Sequence, residues 1–110
     1  MNANISSRHA LEARWLTLTR EALPGVAAER DWPVRFDHCF ARILLDNACD
    51  GVWYDRVTAR PAYRHASDDI LSAAVALGEA ALAGSADLPA LNARSLDHRQ
   101  ARHGGRGRER

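Results

Sequence analysis

Three reactive side chains stand next to one another at Asp37, His38 and Cys39. A thiol acts as a nucleophile when a histidine takes its proton, but neighbouring residues on a helix point about 100° apart. A Cys–His pair would therefore need a histidine from elsewhere in the chain, and His65 and His9 could supply it. The alternative is that Cys39 is a small apolar residue at the edge of a helix stripe. We favour the structural interpretation and predict no catalytic residue, with His38, Cys39 and His65 as the alternative for a small enzyme or ligand binder.

The sequence predicts neither a metal nor a cofactor. It contains no CxxC, HxxxH or HExxH spacing, which are the usual signals of a metal site. Cys39 and Cys49 on one helix would lie about 15 Å apart along its axis, which is too far for a disulfide. Free thiols favour a reduced, cytoplasmic protein. The longest apolar run, residues 73–77, is far shorter than the roughly 20 residues that span a membrane, so we expect no membrane contact.

A second cluster combines aromatic rings and arginines in the segment between residues 53 and 64. Its members are Trp53, Tyr54, Asp55, Arg56, Arg60, Tyr63 and Arg64. Aromatic residues and arginine are the types most enriched at binding hot spots. The alternative is that the rings close the open side of a small helical core. We predict a non-enzymatic interaction or regulatory protein, which uses this surface to bind a protein partner or a second copy of itself.

The positive charge is concentrated at the end of the chain. All 15 basic residues are arginines, as codon bias in a GC-rich genome would produce, and the net charge is only +1. Residues 94–110 carry six arginines against two acids, whereas residues 1–93 carry nine against twelve. Arginines contact phosphates with little sequence preference. The alternative function is therefore nucleic-acid binding through a fourth helix and the basic tail, with contacts from Arg94, Arg99, Arg102, Arg106 and Arg108.

A helix-turn-helix around Gly84 and Ser85 is one form of this alternative. Its second helix would present Asn92, Arg94, Ser95 and Arg99 to a major groove. Against it, the helix before the turn is unusually long and the region before Arg94 is acidic. A solvated tail that keeps the protein soluble is the other explanation of the terminal charge.

The chain predicts an all-α domain over residues 1–100, followed by a flexible Gly/Arg tail at 101–110. Apolar residues at helical spacing predict three main helices over about 8–23, 33–48 and 68–83, and a short fourth over 88–97. Pro24–Gly25 would end the first helix, and Asp31–Pro33 would begin the second. The second helix is expected to be central because its apolar stripe carries Phe36 and Phe40. Residues 52–66 are expected to form an irregular aromatic loop.

The third helix has the clearest signals of the four. Ser67 is followed by two acids, which is a typical N-terminal pattern, and Gly84 is a typical stop. Gly78 lies in the middle of this helix at a cost of about 1 kcal/mol relative to alanine, so we expect a close helix crossing there. The short connection after Gly84 predicts that the third and fourth helices are antiparallel neighbours.

Overall fold

The computed structural model describes residues 3–108, and it describes side chains from Ser7 to His103. This part of the chain is a compact all-α globule without a strand. Six α-helices, a π-helical turn and a 3-10 turn follow one another along the chain. They are α1 (Ala3–Thr17), the π turn (Leu18–Ala22), α2 (Leu23–Ala27), α3 (Asp37–Cys49), the 3-10 turn (Trp53–Asp55), α4 (Ala62–His65), α5 (Asp68–Ala83) and α6 (Leu88–Arg108).

The sequence predicted that the first helix ends at Pro24–Gly25, but the structure shows that it does not. Helical backbone runs through the π turn, where the amide of Leu23 donates to the Leu18 carbonyl, and continues to Ala27. Pro24 stands in the first turn of α2, where its missing N–H and fixed φ are tolerated. Trp15 and Leu18 of this helical stretch are buried in the core.

The second predicted helix begins later than expected, at Asp37. Asp31 adopts a left-handed backbone with φ of 55°, and the chain stays non-helical as far as Phe36. This path buries Trp32, whose ring meets Phe40 edge to face at 5.8 Å. Phe36 then precedes the first helical residue and is 66% exposed, so the prediction that it belongs to the core is wrong. Phe40 is fully buried, and α3 packs against both α5 and α6.

The third predicted helix is confirmed as α5. The Ser67 hydroxyl accepts a hydrogen bond of 3.2 Å from the Ile70 amide, and Gly84 ends the helix with φ of 87°. Gly78 is buried at a crossing, where an added Cβ would come within 3.1 Å of Leu18 and 3.2 Å of Leu44. The close approach therefore accounts for the glycine.

The fourth helix is longer than predicted and packs on a different neighbour. It runs over Leu88–Arg108 and packs chiefly on α3, so the expected pairing with α5 is not its main contact. Helical backbone thus continues into the basic tail, although Arg106 and Arg108 lie outside the residues whose side chains are described. The flexibility of residues 101–110 stays a prediction.

The segment between α3 and α5, which was expected to be an irregular loop, contains two single helical turns. The 3-10 turn holds Trp53 and Tyr54, and α4 follows directly after Pro61. Val57 and Ala66 are buried and anchor the segment to the core. Within residues 3–108, no helix is both long and apolar enough to cross a membrane.

Candidate binding cleft

A cleft of about 540 Å³ opens between α1, α3 and the segment that carries α4. It is lined by Trp15, Leu16, Thr19 and Arg20, by Asp37, His38, Ala41, Arg42 and Leu45, and by Trp53, Arg60, Pro61, Ala62 and Tyr63. Trp15 and Leu45 are buried core residues, so the floor of the cleft is apolar. The cleft brings part of the aromatic segment together with Asp37 and His38, which the sequence analysis had treated as separate clusters.

Trp53 is fixed by its backbone and covered by an arginine. Its amide donates a 3.0 Å hydrogen bond to Asp46 Oδ1, and the Arg60 guanidinium lies 5.0 Å from the centre of its ring. The ring remains half-buried rather than enclosed. Tryptophan and arginine are among the residue types most enriched at binding hot spots.

Tyr63 lies in α4, whose backbone is held by contacts from α1. Arg8 Nη2 donates to the carbonyls of Tyr63 at 2.9 Å and Ala66 at 2.8 Å. The same guanidinium donates to Glu12, and this hydrogen bond raises the pKa of Arg8. Tyr63 is therefore placed at the cleft by a charged group that binds the backbone of α4.

Asp46 lies behind the cleft and is fully buried. It accepts hydrogen bonds from the Ser95 hydroxyl at 2.7 Å and from Arg99 Nε at 2.8 Å, in addition to the Trp53 amide. Arg42 and Asp46 stand four residues apart on α3, but Arg42 does not bind Asp46 directly. Instead, Arg42 donates to Ser95 Oγ and to Asn92 Oδ1, both at 2.8 Å.

This buried carboxylate was not identified from the sequence. The signal in the sequence is an acid that directly follows three apolar residues, at positions 43–45. In the structure, Asp46 lies on the face of α3 that meets α6. Burying a charge is costly unless it is paired and hydrogen-bonded, and Asp46 is both. It joins α3, α6 and the 3-10 turn at one point.

Tyr54 and Asp55 face α6 instead of the cleft. The Tyr54 ring lies 5.4 Å from the Arg99 guanidinium and 5.1 Å from that of Arg102, and its hydroxyl is 3.0 Å from His103 Nε2. Asp55 accepts a 2.9 Å hydrogen bond from Arg102 and raises the pKa of that arginine. The predicted binding cluster is thus divided, with Trp53, Arg60 and Tyr63 at the cleft and Tyr54 and Asp55 against α6.

The remaining two residues of the predicted cluster are exposed arginines outside the cleft lining. The Arg64 guanidinium lies 5.8 Å from the Tyr63 ring, and its hydrogen bond to the Tyr63 hydroxyl raises the pKa of Arg64. Arg56, which directly follows the 3-10 turn, is exposed.

The groups considered for chemistry are not brought together as a set. Asp37 and His38 line the cleft, and both are exposed. Cys39 is half-buried, and neither it nor the exposed His65 contributes to the cleft lining. Cys49 is buried, and burial raises the pKa of its thiol. Among the described side chains, no three His, Cys, Asp or Glu residues cluster as metal ligands.

The arginines considered for nucleic-acid contact lie next to carboxylates wherever their side chains are described. Arg94 lies 3.7 Å from Asp50, while Arg99 and Arg102 bind Asp46 and Asp55. Ser95 is fully buried, so the face that a helix-turn-helix would present to DNA is turned towards α3. The positive charge of this part of α6 is largely balanced within the protein.

The cleft has a different charge balance. Among the described side chains, no carboxylate lies within 4.0 Å of Arg20, Arg42 or Arg60, and Asp37 is the one acid in the lining. The cleft is therefore an apolar floor with an excess of positive charge at its edge. Comparisons of the chain with protein-family models, with curated proteins and with solved structures found no match.

Proposed function

We propose that this protein is a non-enzymatic interaction protein, which binds a partner protein through the cleft. The observation that carries the proposal is the state of Trp53 and Tyr63: both side chains are only partly buried, and a side-chain hydrogen bond from elsewhere in the fold holds the backbone of each. Holding large rings at a surface avoids much of the entropy cost of binding. Exposed aromatic area of this kind is otherwise unfavourable in water.

Recognition has more support than catalysis because the cleft lacks an assembled reactive pair. Asp37 and His38 lie 3.8 Å apart, but both are exposed, and Cys39 is outside the lining. Nucleic-acid binding by α6 has less support, since the described arginines of that helix lie against acids. The two free cysteines support a reducing compartment, and we propose the cytoplasm.

Site-specific photocrosslinking in the cells that make the protein tests the proposal. A benzophenone amino acid replaces Tyr63 at the cleft in one variant and Ala76, on the exposed face of α5, in the control. We expect a discrete adduct with one protein from position 63 and none from position 76. A further change, Arg60→Glu, removes the cation above Trp53 without disturbing a buried contact, and it should abolish the adduct.

Equal adducts from both positions, or none from position 63, would contradict the proposal. Circular dichroism of each variant establishes that the helical content is unchanged. An adduct from position 63 that survives Arg60→Glu would show that Arg60 does not contribute to the contact with the partner.

A further inference from the structure

We propose that the partner presents an acidic segment, whose apolar side chain enters the cleft while its carboxylates meet Arg20, Arg42 and Arg60. This inference rests on the proposed function, because it names the class of partner for the same cleft. The partner is a protein segment with an apolar anchor and flanking Asp or Glu residues.

The charge at the edge of the cleft carries this inference. Three arginines and one acid line the cleft, and among the described side chains the three arginines have no carboxylate within 4.0 Å. This contrasts with Arg8, Arg14, Arg99 and Arg102, each of which binds an acid within the protein. A guanidinium binds a carboxylate through two parallel hydrogen bonds. The cleft therefore presents cations that are available to an incoming anion.

Arg42 is the best prepared of these cations. Its two terminal nitrogens donate to Ser95 Oγ and Asn92 Oδ1, which are uncharged, so the guanidinium is fixed and reaches the Asp46 carboxylate only through the Ser95 hydroxyl. It is half-buried, where a charge interacts more strongly than at an exposed position. A fixed arginine loses little conformational entropy when a ligand arrives.

The apolar part of the cleft requires an apolar anchor on the partner. Trp15 and Leu45 form the floor, and Trp53 and Tyr63 form half-buried walls. The volume of about 540 Å³ falls in the range of about 300–1,000 Å³ that is typical of ligand sites. A buried aromatic or leucine side chain would supply most of the affinity, and the carboxylates around it would supply specificity.

A short acidic segment suits the cleft better than a nucleic acid does. Residues 1–93, which contain the whole cleft, carry nine arginines against twelve acids. A long polyanion would extend beyond the cleft and be opposed by this net negative charge, whereas a segment with a few carboxylates can stay at the three arginines. Tyr54, which could stack on a base, lies between two arginines of α6.

Titration of the ¹⁵N-labelled full chain, followed by NMR, tests the inference. The probes are three capped peptides, EELFEE, its neutral counterpart QQLFQQ and the anchorless EEGGEE, and a dT10 oligonucleotide. The three indole N–H signals report position, because Trp15 and Trp53 line the cleft and Trp32 lies outside it. We expect EELFEE to shift the Trp53 signal saturably, at least 10-fold more tightly than either control peptide, and to leave Trp32 unchanged.

Charge variants separate this mode of binding from others. Arg20→Gln and Arg60→Gln change exposed arginines and should each weaken EELFEE about two- to fivefold, as exposed ion pairs do. Equal binding of QQLFQQ, or tighter binding of dT10, would overturn the inference. If the crosslinked partner forms but its interface is neutral, the acidic segment is refuted and the proposed function stands. If no adduct forms at position 63, the proposed function fails even where EELFEE binds.

Discussion

The substitution Asp46→Asn should destabilise the fold far more than the same change at an exposed ion pair. Asparagine has nearly the same shape as aspartate, so no cavity forms, but the carboxylate that pairs with Arg99 is lost. Asp46 accepts from Ser95, from Arg99 and from the Trp53 amide, and it is fully buried. In asparagine an NH₂ group replaces one carboxylate oxygen, so a hydrogen-bond donor would face the donors that now bind Asp46.

The magnitude follows from the burial of the two partners. Removing one member of a buried ion pair costs about 3–5 kcal/mol, because the other charge stays buried without a counterion. The Arg99 side chain keeps 26% of its exposure, so water recovers part of this loss. We therefore expect a loss of about 2–3 kcal/mol, a large share of the roughly 5–15 kcal/mol that stabilises a domain.

The assay is urea unfolding, followed by circular dichroism at 222 nm. Asp55→Asn is the matched control, since Asp55 also binds an arginine of α6 but both partners are nearly half exposed. We expect little change for the control, because water screens exposed pairs. The variants Arg99→Gln and Asp46→Asn/Arg99→Gln complete a double-mutant cycle, and the double variant should lose less than the sum of the single losses.

Two results would refute this reasoning. If Asp46→Asn unfolds at the same urea concentration as Asp55→Asn, burial does not strengthen the Asp46 pair. If the two single losses simply add in the double variant, Asp46 and Arg99 do not interact in solution.

Three further predictions concern packing, thiol reactivity and capping. Gly78→Val should cost roughly 1–3 kcal/mol through overpacking at the helix crossing, whereas Ala76→Val on the exposed face of the same helix should cost well under 1 kcal/mol; equal unfolding midpoints would contradict the crossing. Iodoacetamide should alkylate Cys39 before Cys49, because burial shields the second thiol and raises its pKa, and peptide mass mapping that finds equal rates would disprove this. Ser67→Ala should remove about 1 kcal/mol by deleting the N-cap, and an unchanged thermal midpoint would show that this cap contributes nothing.

The elements that the sequence predicted best are those whose ends are determined by local chemistry. The bounds of α5 follow from a serine cap and a left-handed glycine, which act within one turn of the helix. The start of α3 depends on a distant contact. Burial of Trp32 against Phe40 holds residues 32–36 in a non-helical path, and no local signal reports that packing.

The length of α6 could not be predicted, for a related reason. Beyond residue 97 the helix has no apolar residue large enough to anchor it, so the pattern predicted a tail. Arg99 and Arg102 hold this part of α6 in place by binding Asp46 of α3 and Asp55 of the 3-10 turn. Long-range ion pairs of this kind leave no periodic pattern in the sequence.

The sequence analysis named three residues that line the candidate cleft but did not predict the cleft or its arrangement. Trp53, Arg60 and Tyr63 were expected to form one surface with Tyr54 and Asp55, because they are neighbours along the chain. The 3-10 turn places adjacent residues on different sides, so Trp53 faces the cleft and Tyr54 faces α6. The direction of each side chain depends on one short turn, whose geometry the composition did not reveal.

That turn also connects stability to recognition through a single carboxylate. Asp46 Oδ1 accepts from the Trp53 amide and from Arg99 Nη2, and Oδ2 accepts from the Ser95 hydroxyl and from Arg99 Nε. Any change that loosens α6 therefore removes part of the support beneath Trp53. Conversely, a ligand that binds the ordered cleft stabilises the folded state, by an amount that grows with the logarithm of the free ligand concentration above its Kd. If the proposed cleft is used, Asp46→Asn should weaken EELFEE binding as well as the fold, even though Asp46 does not line the cleft.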